Sequence, residues 1–182
     1  KDVEFEVTFI NLREKPDWFL KISPHGKVPV LKVDEEILFE SNAIAEFLDE
    51  TVPPRLHPED PLHRARNRAW TDYVPTFSSA LSGIYYTKTR EDMEEGLAKA
   101  PKAVERLEEA IARTRGNDGP YFNGPDLSLV DAAYAPFLQR FLVADGFLKT
   151  GLLDGFPQVK AWADALMANE TVSGAVAPQF LE

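Results

Sequence analysis

Two short runs in this chain have residue types that could do chemistry: Val28-Pro29 at the head of an apolar stretch, and Glu40-Ser41-Asn42 where the next helix is expected to start. Ser41 precedes Ile44, Phe47 and Leu48, spaced as one face of a helix, and so is a candidate N-cap. A serine there satisfies a backbone N–H of its own helix. The same geometry, free N–H groups at the positive end of a helix with a hydroxyl beside them, also receives a carboxylate. Glu40 adds a negative charge next to it, so the pair suits a zwitterionic amino-acid head held at both its groups. Val28-Pro29, on residue types alone, reads as a proline opening an edge strand.

Other candidates carry less chemistry. Ser128 and Asp131 form Ser-x-x-Asp before an apolar run, a relative of the capping box, and are expected to be structural. His57 and His63 flank HPEDPLH at a spacing that matches no helical metal motif, so no metal site is expected. Tyr73, Phe77, Tyr85 and Tyr86 lie on or near one long helical stretch, where aromatic residues are core by default. The chain has no cysteine, which excludes a cysteine nucleophile, a thiolate zinc site or a disulfide among these residues.

The elements that must position these residues fall into two groups. Asp2 to Ile10 alternates Val3, Phe5, Val7 and Phe9 with polar residues, the pattern of a strand buried on one face. Lys15 to Ile22 suits a single helical turn with Pro16 near its start. Val28 to Val33 reads as a second strand, Asp34-Glu35 as a hairpin turn, Glu36 to Phe39 as a third strand, and Ser41 to Glu50 as a helix. Thr51 to Pro61, TVPPRLHPEDP, has four prolines in eleven residues and reads as a linker. Helical stretches follow at Leu62 to Ser82, Glu91 to Arg115, Ser128 to Ala144 and Pro157 to Ala168, with breakers between them at Gly116 to Pro125. Pro136 is expected to kink its helix or shift its hydrogen bonding.

Composition narrows the function classes. The 182 residues are 44% apolar and 27% charged, the balance of a globular protein of one or two domains. A net charge of −10 repels the phosphate backbone, so no nucleic-acid partner is expected. No stretch approaches the roughly 20 apolar residues of a membrane span, and the first residues lack a signal peptide's apolar core. A soluble, cytoplasmic protein without membrane association is the expectation.

Val28-Pro29 before Val30-Leu31, together with Glu40-Ser41-Asn42 opening the next helix, resembles the glutathione transferase family. Lys15 to Glu50 is similar to the second half of that family's thioredoxin-like domain. His57 to Trp70 and GPDLSLVDAAYAPFL, Gly124 to Leu138, resemble its helical domain, so the likeness covers nearly the whole chain. The spacing of Lys15 and Trp18-Phe19 resembles the omega and dehydroascorbate-reductase-like branches.

The resemblance implies a fold and an activity. The fold would be an α/β thioredoxin-like N-terminal domain over residues 1–51, a Pro-rich linker over 52–61, and an all-α C-terminal domain over 62–182. The family's fold begins with a strand and helix not found in this sequence, which implies that the natural protein carries about two dozen or more further residues ahead of Lys1. The residue that activates glutathione in the family, a Ser, Tyr or Cys at that strand–helix junction, is therefore expected to lie outside this sequence, which offers no catalytic residue of its own. By resemblance, Val28-Pro29 is a cis pair whose valine backbone receives glutathione's cysteinyl unit, Glu40 and Ser41 hold its γ-glutamyl end, and Lys15 neutralises its glycine carboxylate. Tyr73 and Phe77 are the implied residues of a pocket for the electrophile. The implied activity is conjugation of the thiol of glutathione, a co-substrate and not a cofactor, to hydrophobic electrophiles by a homodimer. The alternatives are a glutathione-dependent thiol transferase or dehydroascorbate reductase, and a noncatalytic glutathione-binding protein of the same fold.

Overall fold

The computed structural model describes residues 1, 3–115 and 119–175, so Asp2 of the first expected strand and Gly116 to Asp118 of the breaker segment lie outside the described residues. The chain divides into two compact units, Lys1–Pro58 and Glu59–Glu182.

In the first unit, helix α1 spans Asp17–Ile22 with Phe19 as its buried anchor. A tight turn follows, clamped by Ser23, whose hydroxyl donates to the Lys27 carbonyl and accepts from the Lys27 N–H, both at 3.0 Å. Gly26 inside it has φ of +57°, a conformation that costs glycine nothing and other residues strain. Strands β1 (Val30–Val33) and β2 (Glu36–Phe39) form an antiparallel hairpin. Its two-residue turn starts with Asp34 at φ +53°, the left-handed geometry that lets a short loop match strand twist. Helix α2 spans Ser41–Thr51.

The alternating segment at the start does not join this sheet. Among the described residues the only ladder is β1 with β2, and Phe5 and Phe9 are 75% and 64% exposed. Alternation makes a segment fit to be a strand, but a strand exists only through a neighbour whose N–H and C=O groups it can pair.

The proline-rich stretch folds with the first unit because of one buried side chain. Asp49, 2% exposed on α2, accepts hydrogen bonds from the Leu56 N–H at 2.7 Å and the His57 N–H at 3.1 Å, and lies 3.1 Å from Lys1 Nζ. His57 is buried as well, its Nε2 2.7 Å from Glu46 Oε1. Thus the stretch through His57 is tied back to α2, and the division between the units falls after Pro58, inside the linker expected over residues 52–61.

The second unit is helical throughout its described elements. Helix α3 (Pro61–Tyr85) starts with Pro61 at its first position, and the Asp60 carboxylate accepts from the His63 N–H at 2.8 Å. The single helix expected over Glu91 to Arg115 is two, α4 (Arg90–Lys99) and α5 (Pro101–Thr114). Pro101 has no N–H to donate to the preceding turn, so the hydrogen-bond ladder breaks although Ala100 keeps helical angles. Helix α6 (Leu129–Leu148) follows, then a 3₁₀ turn (Leu152–Gly155), α7 (Pro157–Ala168) and a short α8 (Glu170–Ser173). The Glu108 carboxylate on α5 caps α7, accepting from the N–H groups of Gln158 at 3.0 Å and Val159 at 2.9 Å.

Trp162, Tyr134, Phe77, Phe122 and Phe141 are fully buried and form the centre of this unit. Among them sits a carboxylate. Asp131 Oδ1 accepts from the Phe122 N–H (2.9 Å) and Trp162 Nε1–H (2.6 Å), and Oδ2 from the Ser128 N–H (2.7 Å) and hydroxyl (2.6 Å). Ser128 and Asp131 close the reciprocal capping box of α6. Helices α3 and α4 touch through glycines: a Cβ on Gly96 would lie 2.1 Å from the Gly83 carbonyl oxygen.

Three stability predictions follow from these contacts. Asp131→Ala strands four buried donors and is expected to lower unfolding free energy in urea by about 3–5 kcal/mol. Gly96→Ala forces α4 off α3 and is expected to cost about 1–3 kcal/mol in the same measurement. For Asp49, burial pushes the carboxyl pKa up, but the N–H groups of Leu56 and His57 and the charge of Lys1 outweigh it and hold the pKa below the ordinary value of 3.8. A lowered folded value means a contribution present in full above that pH and lost as pH falls through the folded pKa. Asp49→Asn should therefore destabilise the protein at neutral pH and flatten its stability loss below about pH 4, followed by circular dichroism.

Candidate functional site

The hairpin register decides what can act together in the first unit. Val30 of β1 pairs with Phe39 of β2, so Val28-Pro29 and Glu40-Ser41 flank the same open end of the ladder. Ten residues lie between Val28 and Phe39 in sequence, yet the two runs leave the sheet side by side.

Each run arrives there with unused hydrogen-bonding capacity. The Val28–Pro29 bond is cis, and Val28 is 45% exposed. Among the described residues its N–H and C=O make no hydrogen bond, and their exposure leaves both open to an added partner. Such an edge accepts an extended peptide as an added strand. Across from it, α2 begins without a side-chain cap and with no acid in its first turn. Its first intrahelical bond runs from the Ile44 N–H to the Glu40 carbonyl at 3.0 Å, which leaves the N–H groups of Ser41, Asn42 and Ala43 directed out of the helix start. The helix dipole places partial positive charge at this end.

Ser41 is the first residue of α2 and Glu40 is the N-cap, one position earlier than the residue types suggest. The reason is backbone conformation. Glu40 has φ +67° and ψ 120°, outside the helical region, so the helix can start only after it. A non-glycine residue held there costs on the order of 1–3 kcal/mol and persists only where its surroundings impose it. Both Glu40 and Ser41 are exposed, with hydroxyl and carboxylate open to a ligand.

Lys15 stands just before Pro16, the N-cap of α1, half-buried and without an ion-pair partner among the described residues. His25 packs edge-on against Phe39 with ring centroids 5.4 Å apart, steadying the turn that leads into Val28.

The two aromatic residues of α3 have separate fates. Phe77 is fully buried and packs tilted against Tyr134, ring centroids 5.1 Å apart, deep in the helical core with no face open to a ligand. Tyr73 is half-buried, its hydroxyl 3.4 Å from the Ala103 carbonyl and the Arg106 guanidinium 5.7 Å from its ring centre. Tyr73 thereby lines a groove of about 380 Å³ between α3, α4 and α5, edged by Lys99, Lys102 and Arg106. Of these cations, Lys102 and Arg106 stand four residues apart on one face of α5, and Lys99 ends α4. Ser128 and Asp131 lie wholly inside the second unit and act on the fold. Among the described residues no cluster of His, Asp and Glu could hold a metal ion, and no helix is long and apolar enough to cross a membrane.

Comparison with known proteins fits this geometry. Residues 1–50 match the glutathione S-transferase N-terminal domain and residues 90–165 the glutathione S-transferase C-terminal domain. The chain is 29% identical to glutathione S-transferase omega-1 of Rattus norvegicus, covering 95% of this chain and 70% of that protein. It is 31% identical to glutathione S-transferase DHAR2 of Arabidopsis thaliana, covering 94% of this chain and 75% of the relative. Among solved structures, glutathione transferase Omega 3C from Trametes versicolor superposes with a TM-score of 0.78 at 28% identity, over 93% of this chain and 72% of that one. The Tau class enzyme MiGSTU from mango gives 0.80 at 26% identity, over 94% and 80%. Matches at both ends of the chain, and identity of this level across three quarters of a curated relative, place the chain in the glutathione S-transferase family.

Proposed function

We propose that this chain binds reduced glutathione at the open end of the β1–β2 hairpin and transfers its thiol to hydrophobic electrophiles. The observation that carries the reading is the register: it sets an unpaired valine backbone beside an uncapped helix start. Glutathione offers a complement to each. Its cysteinyl unit is an extended peptide that can pair with the Val28 N–H and C=O. Its γ-glutamyl end is a zwitterion, whose carboxylate suits the Ser41 hydroxyl and the N–H groups of α2 and whose ammonium suits the Glu40 carboxylate. Pro29 fixes the chain direction next to Val28, and Lys15 supplies the cation for the glycine carboxylate. A peptide held at three points presents its thiol in a set orientation, which is the main catalytic service such a site can render.

In the reaction, the thiol gives up its proton and the sulfur attacks an electrophilic carbon. A C–S bond forms as the leaving group departs with its electron pair, or as an activated double bond takes up the proton. By resemblance to the family, the group that activates the thiol is a Ser, Tyr or Cys that is not among the residues of this site. Of the two electrophile-pocket residues that the resemblance implies, Phe77 is fully buried and Tyr73 lines an open groove of the second unit. The reading extends to a homodimer serving detoxification in the cytoplasm, which rests on family resemblance.

A second reading is favoured by the relatives named omega-1 and DHAR2. It is reduction of dehydroascorbate, in which two glutathione thiols are oxidised to the disulfide while the substrate gains two electrons and two protons. Assaying one preparation for conjugation and for glutathione-dependent dehydroascorbate reduction separates the two.

Binding is tested by retention on immobilised glutathione. Ser41→Ala removes a charge-assisted hydrogen bond and is expected to weaken binding about tenfold or more, with the unfolding midpoint little changed. Glu40→Gly relieves the positive φ and removes the ammonium's partner, so stability should hold or rise while retention falls. Retention equal to the parent in both variants would falsify the assignment.

A further inference from the structure

Helix α2 presents the candidate glutathione site at its first turn, yet apolar packing does little to hold it there. Its residues Ile44, Phe47 and Leu48 are only half-buried, and the one side chain it buries fully is that of Asp49. Two polar anchors hold the helix instead. Asp49 accepts from the N–H groups of Leu56 and His57, and Glu46, three residues earlier on the same face, meets the His57 ring, Oε1 to Nε2 at 2.7 Å. Apolar contact is non-directional, whereas hydrogen bonds at two points along a helix set its tilt and rotation. The lever is long. Ser41 stands about 12 Å from Asp49 along the axis, so a tilt of about 10° displaces the helix start by about 2 Å. A binding constellation tolerates a misplacement of only about 0.5 Å.

The choice of residue at position 57 is not explained by stability. The ring is 3% exposed, and a carboxylate can only accept, so Nε2–H donates to Glu46 and Nδ1 is left buried without a partner among the described residues. An apolar ring fills such a space with no unmatched nitrogen. What it lacks is the bond to Glu46. Every group concerned belongs to the first unit.

We propose that His57 is a positioning residue for glutathione. Through Glu46, five positions along α2 from Ser41, it fixes the angle of the helix and thereby the aim of the Ser41 hydroxyl and the first N–H groups at the γ-glutamyl carboxylate. The inference rests on the glutathione reading and adds to it the connector that sets the geometry of the site.

The test is calorimetric titration of the full chain with reduced glutathione, run beside unfolding in urea. His57→Phe keeps the backbone N–H that Asp49 accepts and loses the bond to Glu46. Its affinity is expected to fall about fivefold or more while the unfolding midpoint holds or rises. His57→Gln, whose side-chain N–H can stand in for Nε2–H, is expected to return the affinity to within about twofold of the parent. Should His57→Phe fold poorly, Glu46→Ala, at a side chain 24% exposed, is expected to show the same loss with the midpoint little changed. Parent-like affinity in these two variants overturns the proposal, as does a loss that tracks the unfolding midpoint and that His57→Gln does not restore. A parent chain that does not bind glutathione refutes the site itself, and the proposal with it.

Discussion

The second unit depends on a single buried carboxylate. A charge in an apolar interior is tolerated only when its oxygens are saturated with donors, and Asp131 has two donors at each oxygen. Those donors come from three places in the chain: the loop at Phe122, the start of α6 at Ser128, and the indole of Trp162 on α7. Apolar packing alone is non-directional and leaves helices free to slide against one another. The carboxylate adds direction, since only one arrangement of loop, α6 and α7 satisfies both its oxygens. The aromatic residues that surround it then pack in one way.

The first unit shows the opposite economy. Where Asp131 is saturated, the hairpin end is left unsaturated, with an unpaired valine backbone, a helix start without a cap, and a glutamate held at a positive φ. Each feature lowers the stability of the unit by itself. All three converge on one place, as expected of a site whose missing partners are supplied by a ligand.

Much of this was legible in the residues. The β1–β2 hairpin, its Asp34-Glu35 turn, α2 and α7 stand where alternation, helical spacing and proline punctuation put them. The pairing of Val28-Pro29 with Glu40-Ser41 was legible through the hairpin, because a two-residue turn leaves little choice of register. Other features had no local signal. Glu40's positive φ falls on a residue type that does not favour it, so nothing in the sequence marks it. Asp49 looks like a solvent-facing acid on a helix, and its partners are backbone N–H groups, which are the same in every residue. The first alternating segment was read as a strand from its own pattern, whereas sheet membership is a property of two segments. The break before Pro101 was written in the sequence, and the helical periodicity running through it hid it.

The connector between the units has a character that its composition conceals. Proline-rich stretches are commonly regarded as tethers, and exposed, irregular loops are where proteases nick a chain and where insertions are accepted. Here the N–H groups of Leu56 and His57 are held by Asp49, His57 is buried against Glu46, and Asp60 already caps α3. Glu59 belongs to the second unit as well, its carbonyl accepting from the Arg64 guanidinium at 3.3 Å. Inserted residues or a cleavage site placed among the prolines of this connector would disturb the end of α2 itself, so recombining these halves with those of a relative requires the junction to fall after Pro58.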